Sequence, residues 1–320
     1  MDINRSNLAV LFQGLSTQFE LGMQNPPMLD VLARLTTPAD TTTAAEVWAF
    51  MLRTMGWRVW GKSTEREVQN VKSDMWRAEV VTYESTVGIP FQDLQDDHLG
   101  IYSPMVQYLG YAWLNMKIRT LCNMVIDNTP CCIRDTSNAY TDLFAATHAY
   151  GPYNVDNDGS SALDKAAYTA TRAEMASWRY DNGDPTGAYP SLLLCGPALQ
   201  QTAQELFDAQ LIINGGSGAF AAAGAAVTNV LLGDKIVIVV RPEFGPNSGA
   251  AGCTDASNYW ALFDTNKPLK PFIWVNRMEP SIIGPSDPEW VLRLGRADYL
   301  GTARGVFTPT MPHFCFRHVV

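Results

Sequence analysis

The segment from Ser103 to Asp127 most constrains what this chain can fold into. Ser103 is a helix-capping residue, and Pro104 suits a first helical turn, where its missing N–H costs nothing. The pattern predicts one helix from Pro104 to about Asp127, halted before Pro130. At ~1.5 Å per residue this helix is roughly 35 Å long. Met105, Leu109, Trp113, Met116, Leu121, Met124 and Val125 make it apolar nearly all round. Such a helix must be covered on most sides by other elements, and Trp113 is expected as a core anchor.

The flanking segments differ in kind. Leu8, Leu11, Phe12, Leu15 and Phe19 fall at helical spacing, with Gly22 as a stop and Pro26-Pro27 beyond it. A helix this short is marginal alone and must dock on something, in this chain or another. Residues 46 to 88 read mainly as β-structure, rich in Trp48, Trp57, Val59, Trp60, Trp76, Val80, Val81, Tyr83 and Val87. Eight charged residues of mixed sign lie from Lys62 to Glu79, which suggests an arm that leaves the body or a solvated hairpin. Two amphipathic helices are predicted near 162 to 178 and 197 to 212, the second carrying Leu199, Ala203, Leu206, Phe207 and Leu211 on one face. Residues 209 to 233 carry no charge and are rich in Gly and Ala. Lys235 to Val240 is a short apolar strand, and Tyr259 to Val320 reads as strands and turns punctuated by Pro268, Pro271, Pro280 and Pro285. Strands, helix, helices and strands in that order fit α+β and not alternating α/β.

The 320 residues are 47% hydrophobic and 17% charged, ordinary for a chain that buries a real core. A net charge of −9 makes it a poor candidate for gripping phosphate backbones, although it can face DNA without binding it. The opening MDINRSNLAVLFQG has no long apolar core, so no secretion signal is expected, and no segment reads as a membrane helix. Cys122, Cys131, Cys132, Cys195, Cys253 and Cys315 form no CxxC pair and are expected as reduced, structurally neutral thiols.

Chemistry has little to stand on. Asp93, Asp96, Asp97 and His98 form the densest group of potential cation ligands, but negative charge ahead of a long helix is also favoured by the helix dipole. The four histidines, His98, His148, His313 and His318, make no HxH or HExxH spacing. No serine lies in a GxSxG elbow, and Asn214 to Gly218, NGGSG, lacks the Lys-Ser/Thr of a phosphate loop. No catalytic, cofactor-binding or metal-binding residue is therefore assigned. The competing enzymatic reading is a metal-dependent hydrolase using Asp93, Asp97 and His148.

Four blocks carry a resemblance. Tyr83 to Pro104 (YESTVGIPFQDLQDDHLGIYSP), Leu143 to His148 (LFAATH), Pro190 to Leu206 (PSLLLCGPALQQTAQEL) and Trp260 to Phe272 (WALFDTNKPLKPF) resemble, in order, the Mu-like prophage major head subunit family. That family is similar in fold to the Hong Kong 97 phage capsid protein. The resemblance implies an α+β chain with an N-terminal arm (1–45), an extended β-loop (46–80) and a peripheral domain (81–134) whose spine is the long helix. It further implies an axial domain (135–261) and a return to the peripheral domain (262–320); the uncharged run 209 to 233 is expected in that axial domain, because charges near a capsomer axis would repel between copies. The implied role is structural and not enzymatic. Copies of the chain would assemble as pentamers and hexamers into the icosahedral head of a virion made in the bacterial cytoplasm. The shell would enclose double-stranded DNA without sequence-specific binding and without a membrane. Scaffold, portal and decoration proteins are the further partners implied, and non-covalent contact is expected of the loop around Lys62. Another virion part, a tail tube or decoration protein, is the alternative.

Overall fold

A computed structural model describes residues 5–51, 73–90, 92–93, 96, 99–134, 139–150, 152–180, 182–213, 226–250, 253–285 and 288–320. Contacts divide the chain into two compact units. The first comprises Met1–Glu46, Arg77–Leu121 and Trp274–Thr308, the second Val47–Trp76, Cys122–Ile273 and Pro309–Val320.

The first unit combines helices with a four-stranded sheet. The sheet order is Thr36–Asp40, Phe272–Ile283, Arg296–Pro309, Val81–Pro90. Its last two strands pair antiparallel from Arg296↔Pro90 to Gly305↔Val81. The N-terminal helix spans Arg5–Met23, longer than its apolar spacing suggested, and continues through Gly22. The reason is a close crossing. A Cβ on Gly22 would lie 1.9 Å from the Gln107 carbonyl oxygen, and one on Gly110 would lie 2.2 Å from that of Phe19. Only glycine lets these two helix backbones touch. Leu8, Leu15 and Phe19 are thereby buried with Ile89, Val106, Ile282, Val291, Ala297 and Tyr299, so the short helix docks within its own chain.

Two sequence expectations need correction here. One N-terminal helix was expected; Pro26 and Pro27, beyond its end, open a second, Pro26–Leu35, whose N-cap Asn25 accepts from the Met28 amide at 3.3 Å. Proline is tolerated there because first-turn amides have no helical acceptor. The long helix starts at Leu99, not at Ser103, and runs to Ile126 with Pro104 inside it. Pro104 forgoes one amide bond, to the Gly100 carbonyl, close enough to the helix start to be tolerated. The helix ends where Asn128 turns left-handed at φ 57° and its side chain exchanges two 2.8 Å hydrogen bonds with the Phe144 backbone.

The second unit is built on a five-stranded sheet, in the order Val237–Val240, Leu192–Cys195, Trp260–Phe263, Cys315–His318, Asp158–Gly159. The central strands LLLC and WALF are buried at every position, as expected of strands covered on both faces. The helix Lys165–Ser177, capped by Asp164, buries Tyr168, Thr171 and Met175. The helix expected to reach 212 stops at Phe207, and Leu211–Ile213 is a strand paired antiparallel with Ala226–Thr228. Asn229 explains the stop. Its amide nitrogen donates to the Leu206 and Ala209 carbonyls at 2.7 and 2.9 Å, taking the groups that a further turn would need. Residues 214 to 225, with the NGGSG run, lie outside the described residues.

Residues 274–308 cluster with the first unit, whereas 262–273 and 309–320 cluster with the second. The cause is pairing: Cys315–His318 is the antiparallel partner of Trp260–Phe263.

Candidate assembly surfaces

In the first unit the long helix meets the sheet through an aromatic seam. Trp113 stands edge-on to Tyr83 at 5.6 Å and to Trp274 at 6.1 Å, and Trp274 packs on Phe307 at 4.5 Å. Lys117 lays its ammonium 4.2 Å from the centre of the Trp274 ring. Burial lowers its pKa to about 8 against the opposing effect of Glu279. A cleft of about 240 Å³ opens beside the seam, lined among others by Phe19, Tyr83, Leu109, Trp113 and Met116. Trp113 is therefore partly buried and lines a cleft, where a fully enclosed anchor was expected. Met105 and Tyr108 on the long helix and Val10 and Leu21 on the N-terminal helix are exposed apolar side chains. Such side chains are available to bury against other copies.

In the second unit a buried polar hub holds the sheet's edge. Asn157, fully enclosed, accepts from the Ala145 amide at 2.9 Å and lies 3.1 Å from His148 Nε2. It donates to the Leu143 and Pro312 carbonyls at 2.9 and 3.2 Å. All its hydrogen-bonding capacity is used, which is what permits a buried amide. Sequence reasoning missed Asn157, because nothing local marks a residue whose partners come from two separate segments, 143–148 and the turn at Pro312.

The residues singled out from the sequence are not brought together. Asp93 accepts a short hydrogen bond from the Tyr102 hydroxyl at the start of the long helix. Asp96 is exposed, and Asp97 and His98 lie outside the described residues. His148 is buried in the other compact unit, held by Thr141 at 3.2 Å and by Asn157. Asp93 and His148 are thus each committed to a structural partner. Among the described residues no group of three or more His, Cys, Asp or Glu side chains is placed to hold a metal. Of the mixed-charge run, Lys62 to Lys72 is outside the described residues, and Arg77 pairs with Glu79 at 3.4 Å on the surface. Cys122, Cys131, Cys132, Cys195 and Cys315 are buried and in no disulfide. Burial raises the Cys195 thiol to about 12 and pushes Cys122 and Cys315 higher still, far from the reactive thiolate.

Comparison with known proteins gives the fold and the family. The procapsid subunit of bacteriophage JBD30 is similar, with a TM-score of 0.53 and 17% identity over 99% of this chain and 76% of that one. The virus-like particle from Pyrococcus furiosus gives a TM-score of 0.54 at 10% identity, over 96% and 99% of the two chains. The capsid of cyanophage P-SCSP1u gives 0.52 at 13%, over 89% and 86%. These likenesses establish the fold, an α+β capsid fold of the Hong Kong 97 type. No curated protein sequence matches the chain. Residues 8–150 and 146–240 match the family described as Mu-like prophage major head subunit gpT, well over half the sequence. The chain belongs to that family and is a structural subunit of a phage head shell.

Proposed function

We propose that the chain assembles as pentamers and hexamers into a closed icosahedral shell around double-stranded DNA. The single observation that carries this reading is the family match across residues 8–240. We further assign the parts as an arm (1–45), an extended loop (46–80), a peripheral domain with its spine (81–134), an axial domain (135–261) and a returning segment (262–320). The 28-residue helix Leu99–Ile126 supports the spine assignment, and the antiparallel pair 211–213/226–228 at the base of the uncharged stretch supports an axial hairpin. An uncharged tip avoids repulsion between copies that meet at a symmetry axis. The net charge of −9 suits a shell that encloses DNA without binding its sequence. No catalytic, cofactor or metal residue is assigned.

Scaffold and portal proteins are the partners such a shell needs during assembly. A capsid of bacteriophage JBD30, similar at a TM-score of 0.50, is decorated with minor capsid protein trimers. We extend a decoration partner to this chain on that likeness. The test is electron microscopy and sedimentation of the expressed chain. Closed shells or free capsomers are expected, with a single monomer band on denaturing gels. A chain that stays monomeric at high concentration under every condition overturns the reading.

A further inference from the structure

The excursion between the Ala45–Met51 and Ser73–Glu79 strands returns to the body at Trp76. Trp76 is the last residue of the stretch that clusters with the second unit, and from Arg77 onward the chain clusters with the first. At this changeover the Trp76 ring stands edge-on to the Tyr140 ring, with centroids 4.6 Å apart and planes at 86°. Tyr140 is held in turn by its cross-strand partner Arg134. The guanidinium carbon of Arg134 lies 4.2 Å from the ring centre, and its Nη2 donates to the Tyr140 hydroxyl at 2.6 Å. Tyr140 nonetheless remains 36% exposed, so the stack is a surface contact and not part of a core. Edge-to-face rings and a cation at a ring face are favoured electrostatically as well as by burial.

We propose that Trp76, Tyr140 and Arg134 form a latch that holds the base of the excursion on the second unit and so sets the direction in which it leaves toward a neighbouring copy. The proposal rests on the reading of residues 46–80 as an extended loop between subunits. The two-stranded pair Ala45–Met51 and Ser73–Glu79 on its own has little to define its angle. Without a fixed base each loop would search for its partner, and the ordering cost would be met at assembly. With the latch closed, that ordering is done before subunits meet.

The test uses the full-length chain with Trp76→Ala, Tyr140→Ala, the double variant and Tyr140→Phe. Amide hydrogen exchange of residues 73–79 reads the latch, and exchange across the buried strand Leu192–Cys195 confirms that each variant is folded. Each alanine variant is expected to speed exchange at 73–79 roughly 2- to 10-fold, the double variant by little more than either single one. Tyr140→Phe, which keeps the ring, should lie between the wild type and Tyr140→Ala. Unchanged exchange in the single variants, or effects that simply multiply in the double variant, overturns the latch. Electron microscopy of the same proteins reads assembly, where the alanine variants should give fewer closed shells and more aberrant ones. Faster exchange with normal shells would instead overturn the extended-loop reading on which the proposal rests.

Discussion

Arg317 grips Asp158 with two nitrogens, Nη2 at 3.1 and 3.2 Å from the two carboxylate oxygens and Nε at 3.1 Å from the first. Its remaining nitrogen, Nη1, donates to the Val125 and Ile126 carbonyls at 3.0 and 3.2 Å. One buried guanidinium therefore joins the sheet to the last turn of the long helix, where a cation is favoured by the helix dipole. Arg317→Ala leaves those carbonyls and Asp158 without their donor. Removing one partner of a buried pair costs about 3–5 kcal/mol. Chemical denaturation of unassembled subunits should show a loss of that size, and Arg317→Lys should recover only part of it, since an ammonium cannot fork. A change below about 1 kcal/mol would refute this account.

The crossing of Gly22 and Gly110 makes a second prediction. Gly110→Ala places a methyl against the Phe19 carbonyl, a backbone atom that cannot swing away. Overpacking of this kind costs about 1–3 kcal/mol and here forces two helices apart. Gly14 is the control, because a Cβ there meets nothing within 4 Å. Gly14→Ala should stabilise the helix by up to about 1 kcal/mol. Melting temperatures of the two variants should move in opposite directions.

The two tryptophans separate a core from a seam. Trp260 is fully buried, stacked at 4.1 Å on His318, with its indole N–H donating to the Ser161 carbonyl at 2.9 Å. Trp260→Ala should cost about 3–5 kcal/mol and give insoluble protein. Trp113→Ala, at the partly open cleft, should cost less and leave soluble subunits. Comparing soluble yield and denaturation midpoints checks the order, and an inverted order rejects it.

Acid should weaken the second unit through its buried imidazoles. His318 Nδ1 accepts from the Ser161 amide at 3.1 Å, so that nitrogen carries no proton, and Nε2 faces Thr171 at 2.8 Å. Burial lowers its pKa to about 4. His313 is lowered to about 4 by burial and then by the charge of His148. His148 is lowered by burial, against the opposing pull of Asn157, Asp142 and Asp156. A folded-state pKa below the unfolded value of about 6.5 means that the unfolded chain takes the proton first. Above pH 6.5 the groups contribute nothing to the slope. From 6.5 down to about 4 stability falls, by on the order of 3 kcal/mol for each of His313 and His318 at the low end. Denaturant titrations between pH 7 and 4 should show this loss, with a shallower slope in His318→Gln. An unchanged slope in that variant excludes His318 as a contributor.

Local chemistry was legible in the sequence, and long-range chemistry was not. The apolar run Met105–Val125 gave the long helix, and Leu8, Leu15 and Phe19 gave the buried face of the first one. The second helix was missed because proline both ends and opens helices, and the Asn25 cap decides which. The stop at Phe207 depends on Asn229, and the enclosed Asn157 depends on Leu143 and Pro312. Residues that meet across such separations leave no periodic trace. The family resemblance supplied the shell role where composition was mute, while Asp93 and His148 each hold a separate hydrogen-bond partner and Asp97 lies outside the described residues.

The interleaving of the two units has a consequence at the ribosome. The first unit is finished only by Trp274–Thr308, about 150 residues after Leu121. At ~5–20 residues per second that delay lasts roughly 8–30 s. Throughout it, the nascent strand Val81–Pro90 lacks the partner Arg296–Gly305, and Val106 lacks the cover of Ala297 and Tyr299. An unpaired strand and an apolar helix then wait on many ribosomes at once, where they can find wrong partners. Slower decoding between codons 122 and 273 lengthens that wait, so soluble yield of the subunit is expected to fall as translation through this stretch slows.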